Sequence, residues 1–378
     1  MPTAIRLVHA ISDTNIGGAG RYLLTYLSCH DRESFDVSVI VPKGSRLTDE
    51  IKKLGFRVVE AEAMADRSVS VFDILKLYKI LRREKPHIVH THAALSARIA
   101  ARLAGVPRIV YTRHSVFPQK KYLTSGLGKR INGFAARLLS DGIIAVAGAA
   151  AKNLTDTGIS EKNIRIIYNG VEPLPRLSEE EKDGIRRKFG ISPDEKIVAI
   201  IARLEAVKGH EYFIEAAGLV KKAGIKARFV IAGTGSRYEE LKRLVEGKNL
   251  SDTVLFTGFL NNVSELENIM DIQANASYGT EAASLSLLEG MSLGKPAVVS
   301  DFGGNPELIE DGVNGFVVPI KNSQAMADAI IRLLTDEALM NDMSKRSVEI
   351  FESRFTSQIM TQKMEQFYKS LTEGVIII

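Results

Sequence analysis

Short apolar segments alternate with helical patterns along nearly the whole chain, and this alternation is the feature that most constrains the fold. Helical patterns such as residues 71–83 and 95–103 separate the segments. Buried strands that are separated by helices are typical of a parallel sheet covered on both faces. The first half thus predicts an α/β domain with strands at residues 5–8, 37–41, 58–59, 88–89, 109–111, 143–146 and 164–167.

A break in this pattern at residues 169–194 divides the chain. The break contains prolines, glycines and a run of acidic residues, which indicates an interdomain linker followed by a helix near residues 179–189. We therefore predict domains at 1–170 and 171–355, with a final helix at 356–378 that has an apolar face. The second domain has apolar segments at residues 196–201, 228–231, 254–256, 272–276, 297–299 and 316–318.

Length and composition agree with two globular domains. The chain has 378 residues, 45% of them hydrophobic and 25% charged. Its one cysteine, Cys29, cannot form an intramolecular disulfide, and neither a signal peptide nor a membrane-spanning apolar run is present. We therefore expect a cytoplasmic protein. The net charge of +5 divides into +12 for residues 1–170 and −7 for residues 171–378, which suggests different partners for the two halves.

A glycine-containing loop follows the first strand at residues 13–20. Gly17 and Gly18 would let backbone amides approach a ligand at the start of the next helix, where an anion is favoured. The loop lacks the spacing of a dinucleotide fingerprint, and a purely structural turn remains an alternative.

Two cations follow the first strand of the second half. Arg203 lies just past the strand, and Lys208 lies five residues later, before a helix. Cations at the carboxyl end of a strand are well placed to neutralise a pyrophosphate. The alternative is an ordinary solvated loop.

The most specific motif contains two glutamates. Glu281 lies in a strand-to-helix loop, and Glu289 falls in the second turn if the helix begins near Ser284. The amides of Leu285 and Ser286 would then form an anion site at the helix start. The carboxylates are suited to binding ribose or sugar hydroxyls, although ordinary surface glutamates would have the same spacing.

Histidines end two strands of the first half. His114 follows the strand at residues 109–111, and His90 and His92 end the preceding strand, where each could serve a ligand or only the core. The sequence contains no metal-binding spacing of His, Cys, Asp and Glu and no Asp-x-Asp pair. We therefore expect neither a metal nor another cofactor.

Three stretches of this sequence resemble family 4 of the retaining, nucleotide-sugar-dependent glycosyltransferases. They are IARLEAVKG, EAASLSLLEGMSLGKPAVVSDFGGNPELIEDGVNGFVV and NIGGAGRYLLTYL, and the resemblance covers essentially the whole chain in order. It implies the GT-B fold, in which two Rossmann-like parallel-sheet domains face each other across a cleft. The acceptor domain would be residues 1–170, the donor domain 171–355, and the last helix would cross back to the first domain.

The resemblance also implies roles for individual residues. Arg203 and Lys208 would bind the donor diphosphate, Glu289 the ribose, and Glu281 the transferred sugar near the reacting centre. On the other domain, Gly17 and Gly18 would approach the phosphates and His114 would contact the sugar. The expected reaction moves a hexose or N-acetylhexosamine from a UDP- or GDP-sugar to a saccharide or lipid-linked acceptor, in cell-surface glycan or glycolipid synthesis. Where the family usually has a bulky residue and a glycine, this chain has Ala283 and Ser284.

A basic amphipathic segment at residues 120–139 suggests contact with a membrane. Apolar residues recur there at helical spacing among lysines and arginines, as in helices that lie in a membrane interface. The alternative is that the stripe covers the first sheet. The apolar positions are Leu123, Leu127, Ile131, Phe134, Ala135 and Leu138, and the basic ones are Lys120, Lys121, Lys129, Arg130 and Arg137.

Other functional classes remain open from the sequence. A nucleotide-sugar epimerase could use the same architecture, and so could a non-catalytic protein that binds nucleotide sugars. Nucleic-acid binding is disfavoured, because the basic half has no interleaved aromatic residues and no known module.

Overall fold

The computed structural model describes residues 4–64 and 69–373. The chain divides into two compact units, one formed by the residues up to Val171 with those from Ser357 onward, and the other by Glu172–Thr356. No helix among the described residues has both the length and the apolar character that a membrane crossing requires.

The first unit is built on a seven-stranded parallel sheet, with one strand at each apolar segment predicted from the first half of the sequence. The strand order is β3-β2-β1-β4-β5-β6-β7. The strand bounds are β1 Ile5–Ile11, β2 Phe35–Pro42, β3 Arg57–Ala61, β4 Ile88–His92, β5 Arg108–Arg113, β6 Gly142–Ala145 and β7 Ile164–Ile166.

Helices cover this sheet, and their small and aliphatic side chains pack against its apolar strands. One core cluster joins Val8, Ile40 and Val89 of the sheet to Leu77 and Ala97 of two helices. The helix bounds are α1 Gly18–Cys29, α2 Leu47–Lys53, α3 Val71–Glu84, α4 Leu95–Leu103, α5 Lys121–Thr124, α6 Gly126–Leu139 and α7 Gly148–Thr155.

The second unit repeats the architecture with six parallel strands, again one at each predicted segment. Their order is β10-β9-β8-β11-β12-β13. The strand bounds are β8 Lys196–Ile201, β9 Ala227–Ala232, β10 Val254–Gly258, β11 Ile272–Asn275, β12 Ala297–Ser300 and β13 Gly315–Val318.

Four helices of the second unit begin at a residue whose side chain caps the helix. The predicted linker helix starts at Ser178, whose side chain forms a reciprocal capping box with Glu181. The bounds are α8 Glu179–Lys188, α9 His210–Lys222, α10 Tyr238–Gly247, α11 Ser264–Ile269, α12 Leu285–Ser292, α13 Asn305–Leu308, α14 Ser323–Thr335 and α15 Glu337–Arg354. The four helices with a capping side chain are α8, α12, α14 and α15.

The final helix, α16 Ser357–Thr372, belongs to the first unit and packs beside α1. Its buried face includes Met360, Met364 and Tyr368. Glu365 accepts a hydrogen bond from the backbone amide of Asp31 at 2.8 Å, which fixes the helix to the loop after α1.

Both sheets have the same order of their first six strands. In each, the chain builds outward from the first strand in one direction and then returns to add strands on its other side. The reversal lies between β1 and β4 in the first unit and between β8 and β11 in the second. Ligands of open α/β sheets bind beyond the carboxyl ends of the strands at such a reversal.

Candidate functional site

In the second unit, the loops after β8 and β11 meet at the strand reversal. The Tyr278 amide donates a hydrogen bond to the Val207 carbonyl at 2.9 Å, which joins the two loops. Gly303 approaches them from the loop after β12: it has a φ of +60°, and a Cβ there would lie 1.8 Å from the Glu281 carbonyl oxygen. Only glycine allows this approach, so the backbone around Glu281 is held closely.

Lys208 and Glu281 form an ion pair in this region. Lys208 Nζ lies 2.6 Å from Glu281 Oε2, and the two side chains are only 14% and 9% exposed. Asn275 Nδ2 and Ser277 Oγ donate to the same carboxylate oxygen at 3.3 and 3.2 Å. The sequence predicted both residues as site residues but not their mutual contact, which depends on loops 73 positions apart in the chain.

Arg203 differs from Lys208 in its surroundings. It lies two residues beyond β8, and its side chain is exposed. Within the described part of the chain, no acidic group pairs with its guanidinium. Arg203 is therefore available to an anion from outside the chain.

Helix α12 begins where the sequence predicted. Ser284 is its N-cap, and the Ser284 hydroxyl accepts a hydrogen bond from the Leu287 amide. The Leu285 and Ser286 amides precede that bond in the first turn, where backbone N–H groups have no partner within the helix. Glu289 lies in the second turn and is buried, with 4% of its surface exposed. The helix therefore combines an amide-rich start with a carboxylate one turn later.

The glycine loop of the first unit belongs partly to a helix. Gly17 is the N-cap of α1 and Gly18 its first residue, so the last three residues of the predicted loop at 13–20 belong to the helix. No side chain caps this helix, and a Cβ on Gly18 would meet no atom of the described residues within 4 Å. Local packing therefore does not require glycine at position 18.

Three histidines of the first unit form a hydrogen-bonded line. His9 Nδ1 lies 3.0 Å from His92 Nε2, and His92 Nδ1 lies 2.9 Å from His114 Nε2. His90, beside them, contacts the Tyr368 hydroxyl at 2.6 Å and the Thr112 hydroxyl at 2.7 Å. His9 was missed by the sequence analysis. Its position near the end of a strand, like those of His90 and His92, was the available signal.

Burial keeps these imidazoles neutral. His9, His90 and His92 are fully buried, and His114 is half-buried. Desolvation lowers the pKa of His9 and of His114 to about 3 and that of His90 and His92 well below the usual value. Each ring thus carries one N–H and one bare nitrogen at neutral pH.

His9, His90 and His92 place ligand nitrogens within 4.8 Å of one another. The sequence analysis found no metal-binding spacing and missed this grouping, because adjacent strands bring the residues together. Both nitrogens of His90 and of His92 already contact protein groups. The grouping fits a hydrogen-bonded network better than a metal site.

The basic amphipathic segment forms two helices, α5 and α6, rather than one continuous helix. The apolar stripe of α6 faces outward: Leu127, Ile131, Phe134 and Leu138 are 73%, 59%, 61% and 55% exposed. The alternative that this stripe covers the first sheet is therefore wrong. The inner side of α6 contains Gly133, where a Cβ would lie 2.1 Å from the Gly158 carbonyl oxygen, so glycine allows the helix to pack closely by its other side.

Known proteins resemble this chain over both units. The model for "Glycosyltransferase Family 4" matches residues 16–173, and that for "Glycosyl transferases group 1" matches residues 181–349. An uncharacterised glycosyltransferase of Methanocaldococcus jannaschii is 30% identical over 282 residues, which cover 70% of this chain and 72% of that protein. The UDP-Gal:alpha-D-GlcNAc-diphosphoundecaprenol alpha-1,3-galactosyltransferase of Escherichia coli is 27% identical, with 96% of each chain covered.

Solved structures share the fold. Anabaena HepE in complex with UDP superposes with a TM-score of 0.84 at 20% identity, covering 97% of this chain and 100% of that one. A glycosyltransferase from Rickettsia africae also gives a TM-score of 0.84, with 98% and 100% covered, at 20% identity.

Proposed function

This chain belongs to glycosyltransferase family 4 and has the GT-B fold, and we propose that it transfers a hexose or N-acetylhexosamine from a UDP- or GDP-sugar to an acceptor hydroxyl. The observation that carries the proposal is the group at the β8–β11 reversal: an exposed arginine, a lysine–glutamate pair and a helix start. Cations and helix amides together are suited to a diphosphate.

Each group at this reversal has a proposed role. Arg203 and Lys208 bind the diphosphate, and the Leu285 and Ser286 amides add hydrogen bonds to it. Glu289 accepts hydrogen bonds from the ribose hydroxyls. Glu281 contacts the transferred sugar, and the donors from Asn275 and Ser277 hold its carboxylate in place.

The proposed chemistry depends on stabilising the leaving group. As the bond from the anomeric carbon to the diphosphate oxygen breaks, negative charge grows on the diphosphate. Lys208, held by Glu281, and the exposed Arg203 would stabilise that charge without a metal ion. We propose that the anomeric configuration is retained.

On the first unit, we propose that Gly17 and Gly18 offer backbone amides to phosphate oxygens. The Gly17 amide donates to the Asn15 carbonyl at 3.1 Å and would exchange that bond for one to the ligand. The uncapped start of α1 and the open space beside Gly18 support this role. His114 is proposed to contact an oxygen of the sugar.

The donor is testable by ligand-induced stabilisation. UDP or GDP at 100 times its Kd stabilises the native state by about 2.7 kcal/mol and raises the thermal midpoint. We expect one of these nucleotides to raise it more than ADP does and Arg203→Ala to reduce the shift. Equal shifts from all three, or none, would contradict the proposed donor site.

We further propose that α6 contacts an anionic membrane at its inner face and that the acceptor is a lipid-linked saccharide. The support is the outward apolar stripe beside Lys129, Arg130 and Arg137. Such a helix inserts its apolar side chains at the headgroup boundary, and each nearby basic side chain contributes about 1 kcal/mol on an anionic surface. The Escherichia coli relative, whose name includes diphosphoundecaprenol, adds indirect support.

Liposome co-sedimentation tests the membrane contact. At low salt the protein should sediment with anionic vesicles, and Ile131→Ser with Phe134→Ser should prevent this. Phe259→Ser is the matched control, because Phe259 is 70% exposed but lies outside α6, in the second unit. Sedimentation that is equal for the α6 variant and the control, or absent for the wild type, would overturn the membrane contact.

A further inference from the structure

The line of three histidines constrains where its protons lie. A hydrogen bond between two neutral imidazoles needs one N–H and one bare nitrogen. Two such bonds in series share His92, so the protons of all three rings must be ordered in one direction or the other. In one order His9 donates to His92 and His92 donates to His114. In the other order His114 donates to His92 and His92 donates to His9.

The His9 end decides between the two orders. His9 Nε2 is buried and has no hydrogen-bond partner among the described residues. In the order that starts at His114, this nitrogen would carry a buried N–H without an acceptor. Orphaned buried N–H groups are rarer in folded proteins than under-satisfied acceptors. The order that starts at His9 leaves only a bare nitrogen there.

We propose that His9 and His92 are positioning residues that hold His114 in the tautomer protonated at Nδ1. In this tautomer Nε2 of His114 accepts from His92, and Nδ1 donates. Nδ1 of the half-buried His114 contacts no polar group of the described residues, so it is available to an oxygen from outside the chain.

The consequence for ligand recognition rests on the proposed function. A neutral imidazole with a fixed N–H is a donor to an uncharged oxygen, such as a sugar hydroxyl or ring oxygen, and carries no charge to attract a phosphate. His114 would thus orient a sugar oxygen. The proton order itself does not depend on that role.

The proton order can be measured in the whole protein. With histidine labelled with ¹⁵N, long-range ¹H–¹⁵N spectra at pH 7 distinguish a protonated from a bare nitrogen in each of the seven imidazoles. We expect Nδ1 of His114 to be protonated and Nε2 to be bare. The opposite tautomer in the wild type would overturn the proposal without any variant.

Two substitutions of His92 give a matched pair. In His92→Asn the side-chain amide can occupy the place of Nδ1 and still donate to His114, whereas in His92→Gln it lies nearer the place of Nε2. We expect His114 to stay protonated at Nδ1 in His92→Asn. In His92→Gln we expect His114 to be a mixture of the Nδ1-protonated and Nε2-protonated tautomers. His90→Asn is the control for disturbing the same core, since His90 bonds to Tyr368 and Thr112 and not to this line.

Transfer activity separates the two proposals. If His114 contacts the sugar, His92→Gln should lower transfer about tenfold, the value of roughly one hydrogen bond, and His92→Asn should restore most of it. If the His114 tautomer is unchanged in His92→Gln, the proposed role of His92 in positioning His114 is wrong. If the His114 tautomer changes in His92→Gln but transfer does not, His92 does position His114, and His114 is not part of the proposed sugar site.

Discussion

The two parallel sheets share a strand order but carry different chemistry at their reversals. Between β8 and β11 lie charged groups, Arg203, Lys208 and Glu281. Between β1 and β4 lie neutral imidazoles, and six of the seven histidines of the chain are in the first unit. The same backbone topology therefore provides either charge or uncharged hydrogen-bonding groups.

This difference is the reason for proposing different ligands at the two reversals. Fixed cations stabilise an anion strongly in a site that excludes water. Neutral imidazoles bind an oxygen by direction and distance and repel no uncharged hydroxyl. The contrast agrees with a diphosphate at the second unit and a sugar oxygen at the first.

Breaking the ion pair of the second unit should have the largest effect. Lys208→Met leaves the largely buried Glu281 carboxylate without its cation, and we expect the free energy of unfolding to fall by about 3 kcal/mol. Lys208→Met with Glu281→Gln should recover most of this, because no buried charge then remains. Urea unfolding at pH 7 measures both variants. A single variant as stable as the wild type would show that solvent already screens the pair.

Removing the exposed cation should affect activity but not stability. We expect Arg203→Ala to lower transfer about 10²-fold, the scale for loss of one preorganised electrostatic group. Its unfolding curve should match the wild type, since the side chain is exposed. Arg243→Ala, an exposed arginine on α10, is the control. Similar activity in both variants would remove Arg203 from the donor site.

The histidines of the first unit should make stability depend on pH. His9 has a pKa of about 3 in the folded chain, while the unfolded chain binds that proton near pH 6.5. The contribution of His9 to the free energy of unfolding is therefore complete above about pH 6.5 and is lost as the pH falls toward 3. From pH 7 to pH 5 the loss is roughly 2 kcal/mol.

A variant isolates this contribution. His9→Asn can keep the hydrogen bond to His92 but cannot titrate, so its stability should fall less steeply between pH 7 and pH 5. Chemical unfolding at several pH values measures the slope. The same slope in both proteins would mean that His9 is not the source of the pH dependence.

The smallest expected effect is that of chelation. Since Arg203 and Lys208 supply the positive charge in the proposed mechanism, transfer should continue at an unchanged rate in excess EDTA. If activity is lost in EDTA and Mg²⁺ or Mn²⁺ restores it, a metal rather than Arg203 and Lys208 stabilises the leaving group. The charged side chains of the second unit would then not be what distinguishes its site from that of the first unit.

Local sequence patterns predicted the order and the approximate bounds of the strands and helices. Each predicted apolar segment coincides with a strand, although the segments at 143–146, 164–167 and 272–276 run one residue past the strand end. A strand that is buried on both faces is apolar over consecutive residues. Ser284 marked the start of α12 because its hydroxyl can satisfy an amide of the first turn. Residue types at the strand ends also identified the charged candidates of the second unit.

The sequence by itself determined the order and the approximate positions of the strands and helices, since periodicity and capping act between near neighbours. Only the tertiary structure decided which distant side chains meet: Lys208 with Glu281, and His9 with His92 and His114. It also decided that the stripe of α6 faces outward, because Gly133 and Gly158 allow close packing on the opposite side. These outcomes depend on strand order and on close backbone approach, and neither leaves a periodic signal in the sequence.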